Sequence, residues 1–151
     1  MQRPSFFAVL LFCLAASLPA QAQFPREGIV EIPNGVSAPF AGSWAVGFPE
    51  GEGMINGEPL VSCDQPVRLQ PAGEHALSYL APNGSEILLE LTAFSGRTTW
   101  FPPAGESIIA VWTSPDEFFS YSVTLTNGRA RWDNPHVYRR CYPSVTITSV
   151  S

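Results

Sequence analysis

Short segments in which apolar and polar residues alternate follow one another along most of this chain. A period of two is typical of β-strands that bury one face. The tight-turn dipeptides Asn83-Gly84 and Asn127-Gly128 lie between such segments and favour antiparallel hairpins. Because no segment after residue 22 has the period of an amphipathic helix, the sequence predicts an all-β fold.

The segments number about eight. They include 42–48, 86–94 and 118–125, and a last strand is expected at 137–142. Pro66 interrupts a further segment at 60–69, which is expected at a sheet edge or with a bulge. In segment 118–125 the large apolar side chains are expected to face inward, namely Phe119, Tyr121, Val123 and Leu125. Turns are expected at Pro71-Ala72-Gly73 and at Asn56-Gly57, and Asn127-Gly128 is expected to lead into a strand at 129–132.

Sequential hairpins of this length favour an eight-stranded antiparallel up-and-down (meander) barrel over a Greek-key sandwich. Closure of the barrel removes the exposed strand edges that an open meander would leave. Eight strands enclose an interior just wide enough for side chains or for one small ligand.

The first 22 residues have the layout of a secretory signal peptide. Arg3 precedes an apolar run at 6–18, and the small residues Pro19-Ala20-Gln21-Ala22 follow. We expect cleavage after Ala22 and a periplasmic or secreted product. The apolar run is too short to span a bilayer comfortably, so no integral membrane segment is expected after cleavage.

The remaining chain divides by composition into three parts. Residues 23–41 form a Pro/Gly-rich N-terminal arm, residues 42–142 the β-barrel domain, and residues 143–151 a polar tail. Prolines and glycines in the arm rule out a long helix or a central strand there. The arm is therefore expected to be extended, either as a flexible terminus or as a segment that docks into a partner.

Two cysteines remain after cleavage, Cys63 and Cys141. In an oxidising compartment such a pair predicts a disulfide. The alternative, a metal site with His75 and His136, lacks the short ligand spacings of zinc sites. We therefore expect no metal and no cofactor.

Charge and motifs narrow the functional classes. The chain has 13 acidic against 8 basic residues and a net charge of −5, which argues against nucleic acid as a partner. It contains none of the short motifs of nucleophilic, metal-dependent or nucleotide-dependent enzymes, such as G-x-S-x-G or H-E-x-x-H. The sequence thus favours a protein that is not an enzyme.

Gly42-Ser43-Trp44 opens the first predicted strand and resembles the G-x-W motif of the calycins, the superfamily of lipocalin-like barrels. This resemblance implies that Trp44 closes one barrel end and that an arginine near the last strand, Arg139 or Arg140, packs across its ring. Such stacking gains cation–π energy.

The stretch 40–46 and the segment starting Cys63-Asp64 are also similar to exported bacterial inhibitors of serralysin-type metalloproteases. In those inhibitors an N-terminal trunk enters the active-site cleft of the protease. The resemblance implies an inhibitory arm, whose residues here are Gln23, Phe24, Pro25 and Arg26.

We therefore expect an exported, monomeric, non-catalytic binding protein for a small apolar ligand or a protein partner. The alternatives are a protease inhibitor acting through the arm and an interaction module with a filled barrel. Candidate contact residues are the large aromatic side chains Trp100, Phe101, Trp112, Phe118, Phe119 and Tyr121. Aromatic residues at alternating positions also commonly fill a small barrel, so an empty or a filled interior distinguishes these functions.

Overall fold

The computed structural model describes residues 23–49, 60–124 and 127–143. The predicted signal peptide, the Asn56-Gly57 turn, Leu125 and residues 144–151 of the tail lie outside this part. A single turn of 3₁₀-helix, Ala38–Phe40, precedes the strands. The strands are β1 (Gly42–Gly47), β2 (Val67–Gly73), β3 (Ala76–Leu80), β4 (Glu86–Phe94), β5 (Arg97–Phe101), β6 (Ile108–Ser114), β7 (Glu117–Ser122) and β8 (His136–Arg140).

The eight strands form a closed antiparallel up-and-down barrel, as the sequence predicts. Each strand pairs with the next along the chain, and β8 pairs with β1 to complete the ring. The closing register sets Trp44 opposite Arg140 and Gly47 opposite Val137. The turns at 74–75, 95–96 and 115–116 lie at the same barrel end as Gly42, which we call the lower end.

The predicted strand at 60–69 is wrong in its extent. Residue 61 forms only an isolated bridge to Val46, and β2 begins at Val67. The predicted turn at Pro71-Ala72-Gly73 is also wrong, because these residues continue β2. The register of β2 on β3 shifts between Pro71 and Gly73, so the proline marks an irregularity in the strand and not its end.

The last hairpin also differs from its prediction. β7 ends at Ser122, and the segment expected at 129–132 forms only one isolated bridge, between Val123 and Ala130. The strand that closes the barrel is β8, which begins at His136 and ends at Arg140.

The predicted orientation of β7 is wrong. Phe118 belongs to the barrel core, and successive side chains of a strand point to opposite faces. Phe119 and Tyr121 therefore lie on the outer face. Tyr121 is nevertheless fully buried, because the N-terminal arm covers it there. The outer face of this strand is thus partly covered, with Tyr121 buried and Phe119 half-buried, which an alternating pattern alone does not reveal.

One disulfide joins Cys63 to Cys141, as predicted, with their Cα atoms 5.6 Å apart. The two residues are 78 positions apart in the chain. The chain-entropy model assigns about 4 kcal/mol to a loop of this size. The bond ties the segment before β2 to the end of β8, beside the lower end of the barrel.

Candidate functional site

Trp44 and Arg140 close the lower end of the barrel. The guanidinium carbon of Arg140 lies 4.2 Å from the centroid of the Trp44 ring, and Arg140 Nε donates to Asp116 Oδ1 at 3.0 Å. The indole Nε1 of Trp44 donates to the carbonyl of Phe40 at 2.8 Å. The remaining guanidinium nitrogens of Arg140 donate to the backbone carbonyls of Pro39, Ala41 and Pro115. Every polar group of this contact is occupied by the protein itself.

Gly42 is required beside this contact. Its φ of +139° is unfavourable for other residues, and a Cβ there would lie 2.7 Å from Arg140 Nη1. Arg139 takes no part, since neighbouring strand residues point to opposite faces. Its guanidinium instead pairs with Glu117 at 3.2 Å. Of the two predicted arginines, the structure places Arg140 on the tryptophan.

Aromatic side chains fill the barrel interior above Trp44. The ring of Phe40, which comes from the arm, lies 4.6 Å from Trp112 and 5.2 Å from Phe118. Trp100 packs edge-on against Phe40 at 5.3 Å. All four side chains are 1% exposed or less. Trp100, Trp112 and Phe118 thus fill the core and are not accessible contacts, contrary to that interpretation of the sequence.

The upper part of the interior is occupied by tyrosines. Tyr138 stacks on Phe118 at 4.6 Å, and its hydroxyl lies 3.4 Å from the hydroxyl of Tyr79. Burial, with the neighbouring Tyr79, raises the pKa of Tyr138 well above its ordinary value. Tyr138 is therefore a neutral group that supplies no charge for catalysis or binding.

The arm is bound to its own barrel along most of its length. Near the lower end, Ser37 N donates to Glu74 O at 2.8 Å and Gly35 N donates to Thr98 Oγ1 at 3.0 Å. His75 Nδ1 lies 2.6 Å from Gly35 O. These bonds hold the arm across the lower opening, where Ile32 joins the core cluster.

Toward its N-terminus, the arm leaves the barrel through a gap between β5 and β6. The two strands pair as far as Thr98 and Ala110. Below that pair, the arm inserts its own backbone: Gly28 N donates to Gly96 O at 2.9 Å and Ile29 N donates to Trp112 O at 3.0 Å. A Cβ on Gly28 would lie 3.1 Å from Gly96 O, so the gap fits a residue without a side chain.

Beyond the gap, the arm lies on the outer wall of the barrel. Phe24 packs near Phe119, with ring centroids 6.3 Å apart, and Tyr121 donates its hydroxyl hydrogen to the Pro25 carbonyl. The predicted inhibitory residues Phe24, Pro25 and Arg26 are therefore in contact with the barrel, while Gln23 is exposed. Burial raises the pKa of Tyr121 to about 12, against the opposing effect of Arg26.

Arg26 meets Arg97 and Trp132 where the arm crosses this wall. The guanidinium carbons of Arg26 and Arg97 lie 5.4 and 5.0 Å from the centroid of the Trp132 ring. Arg97 Nε donates to the Arg26 carbonyl, and Tyr121 packs edge-on against Trp132 at 4.7 Å. We call Arg26, Arg97 and Trp132 the outer arginine cluster. The sequence analysis did not single out Arg97 or Trp132, because only the docked arm brings them together.

An apolar groove lies on the outer face of the barrel at the upper end of β5, next to β4. It has a volume of about 230 Å³ and is lined by Leu88, Glu90, Phe101, Pro102 and Pro103. Leu88 is 53% exposed and Phe101 is 43% exposed. Of the six predicted aromatic contact residues, Phe101 is the one that the structure leaves exposed. We call these five residues the β4–β5 groove.

Comparisons with protein-family models, with curated proteins and with solved structures found no match for this chain. Within the residues that the structure describes, no three His, Cys, Asp or Glu side chains are grouped as a metal ion would require. The described residues also include no helix that is long and apolar enough to cross a membrane. A proposal for the function therefore rests on the geometry of the arm, the core, the outer arginine cluster and the β4–β5 groove.

Proposed function

We propose that this protein is an exported, non-catalytic binding protein that recognises a protein partner with the outside of its barrel. The observation that carries this proposal is the filled interior. Carriers of small apolar ligands enclose cavities of several hundred Å³. Here Phe40, Trp100, Trp112 and Phe118 occupy that space and are 1% exposed or less.

The β4–β5 groove is the proposed contact surface. Exposed apolar side chains that lie together outside a core are typical of protein interaction sites. Leu88 shares the outer face of β4 with Glu86 and Glu90, because alternate residues of a strand lie on one face. Glu90 is paired with Phe101 across the β4–β5 ladder. Apolar side chains flanked by two carboxylates favour a partner segment that combines apolar and basic residues.

The interior can be tested with an apolar fluorescent probe that accepts energy from tryptophan. We expect no saturable transfer in the native protein, because Trp44, Trp100 and Trp112 leave no room near them. Trp112→Ala is the positive control, since it opens a cavity that the probe can enter. Tight, saturable binding of the probe within the native barrel would make the protein a ligand carrier and would overturn the proposal.

The groove can be tested with two labelled peptides, one alternating leucine with lysine and the other alternating leucine with glutamate. We expect the lysine peptide to bind more tightly by fluorescence anisotropy. Leu88→Ser and Phe101→Ser should each weaken its binding about tenfold, as loss of a central apolar contact does. Phe94→Ser is the matched control, because Phe94 is 73% exposed and lies outside the groove. Equal binding of both peptides, or an equal loss in Phe94→Ser, would contradict the assignment.

A further inference from the structure

In the outer arginine cluster, Arg26 and Arg97 lie beside the Trp132 ring, and neither is paired with a carboxylate of a described residue. In the described part of the chain, Arg139 pairs with Glu117 and Arg140 pairs with Asp116. Arg26 and Arg97 form no ion pair with any described residue. Both guanidinium carbons lie within 5.4 Å of the same ring centroid, and like charges beside one ring repel each other unless a counter-charge is present.

Most hydrogen-bond donors of these two side chains are also unused by the described residues. Arg97 donates through Nε to the Arg26 carbonyl and makes no bond through its terminal nitrogens. The guanidinium of Arg26 makes no hydrogen bond to a described residue. A guanidinium presents its N–H groups as a planar fork that matches the oxygens of a carboxylate, sulfate or phosphate.

We propose that Arg26, Arg97 and Trp132 form a binding site for an oxyanion, meaning a carboxylate, sulfate or phosphate group. The anion supplies the missing counter-charge and accepts the unused N–H donors. Trp132 holds both guanidinium groups in place through its ring face. This site goes beyond the proposed function, because it requires no protein partner and does not involve the β4–β5 groove.

Two acidic residues adjoin the site, since Glu27 lies beside Gly96 and Asp133 follows Trp132, but neither forms an ion pair with Arg26 or Arg97. Tyr121, which packs on Trp132, remains a neutral donor to the Pro25 carbonyl because burial raises its pKa. It therefore does not neutralise either arginine. Since Arg26 belongs to the arm and Arg97 to β5, a bound anion also ties the arm to the barrel wall.

The test is a calorimetric titration of the full mature chain with sodium sulfate, phosphate or acetate at constant ionic strength in chloride. We expect saturable binding of at least one oxyanion, accompanied by a change in Trp132 fluorescence. The other three tryptophans are buried and should contribute little to that change. Stronger binding of acetate would indicate a carboxylate ligand, and stronger binding of sulfate or phosphate would indicate a sulfated or phosphorylated one.

Arg26→Gln and Arg97→Gln should each weaken binding about tenfold or more, as loss of hydrogen bonds to a charged group does. Arg129→Gln is the matched control. Arg129 is exposed in the β7–β8 connection, which also contains Trp132, but its guanidinium does not lie over the Trp132 ring. An independent readout is trypsin cleavage after Arg26, which the oxyanion should slow relative to cleavage after Arg129. Absence of saturable binding beyond that of chloride, or an equal loss in Arg129→Gln, overturns the proposal.

Discussion

Two arginine–tryptophan contacts stabilise this molecule, and they differ in what surrounds them. At the lower end, Arg140 lies on Trp44, pairs with Asp116 and donates to three backbone carbonyls. On the outer wall, two arginines share Trp132, and neither has a carboxylate partner among the described residues. The first contact is saturated and completes the fold. The second leaves charge and donors unsatisfied, so it is the one suited to a ligand.

The largest difference between the two contacts should appear in stability when each ring is removed. Trp44→Ala is expected to cost about 4 kcal/mol of unfolding free energy, because it leaves a cavity at a fully buried site. Trp132→Ala should cost about 1 kcal/mol, since Trp132 is only partly buried. Urea denaturation measures both values. Similar losses in the two variants would show that the contacts are energetically equivalent.

The arginines at the lower end provide a smaller and more selective test. Arg140→Met should cost about 2 kcal/mol, because carbonyls that it now satisfies lose their donor near the closed end. Arg139→Met is the matched control and should cost below about 1 kcal/mol, since its ion pair with Glu117 and its bonds to the Phe48 and Pro49 carbonyls are partly exposed. Thermal unfolding of both variants checks the order. A greater loss in Arg139→Met would reverse the assignment of the closing arginine.

The smallest effect is expected from pH at the docked arm. Burial raises the pKa of Tyr121 from 10.0 to about 12, and Arg26 opposes that rise. Stability from the neutral phenol is therefore complete below its unfolded pKa of 10.0 and is lost as pH rises toward about 12. Trypsin cleavage after Arg26 should accelerate across this window. Tyr121→Phe should remove the pH dependence, and an unchanged dependence in that variant would assign it to another group.

The barrel and its lower end could be predicted because their signals are local in the sequence. Alternation and the Asn83-Gly84 turn predict the meander. The position of Trp44 at the closed end was expected only from the resemblance of Gly42-Ser43-Trp44 to the G-x-W motif. The disulfide follows from the two cysteines that remain after the predicted cleavage. Each of these features depends on one short stretch or on a simple pairing.

The outer wall could not be predicted, because its residues meet only through the arm. The pattern of β7 offers two faces, and the outer one carries two aromatic residues, Phe119 and Tyr121, against Phe118 alone on the inner one. The arm covers that face, so apolar character there does not identify the barrel interior. Phe24 and Phe40 are the available signal, since apolar residues in a proline-rich segment need a surface on which to be buried.

The passage of the arm between β5 and β6 also predicts an order of events during folding. Tyr121 donates a hydrogen bond to the Pro25 carbonyl across 96 residues of chain. Arg26 contacts Trp132, which lies even further along the sequence. Contacts this distant in sequence form slowly, because a long loop must close before they contribute. We therefore expect the arm to dock late, after strands β5 to β7 have formed the gap and wall that receive it. In a stopped-flow refolding experiment, a slow fluorescence phase that is missing in Trp132→Ala should report this last step.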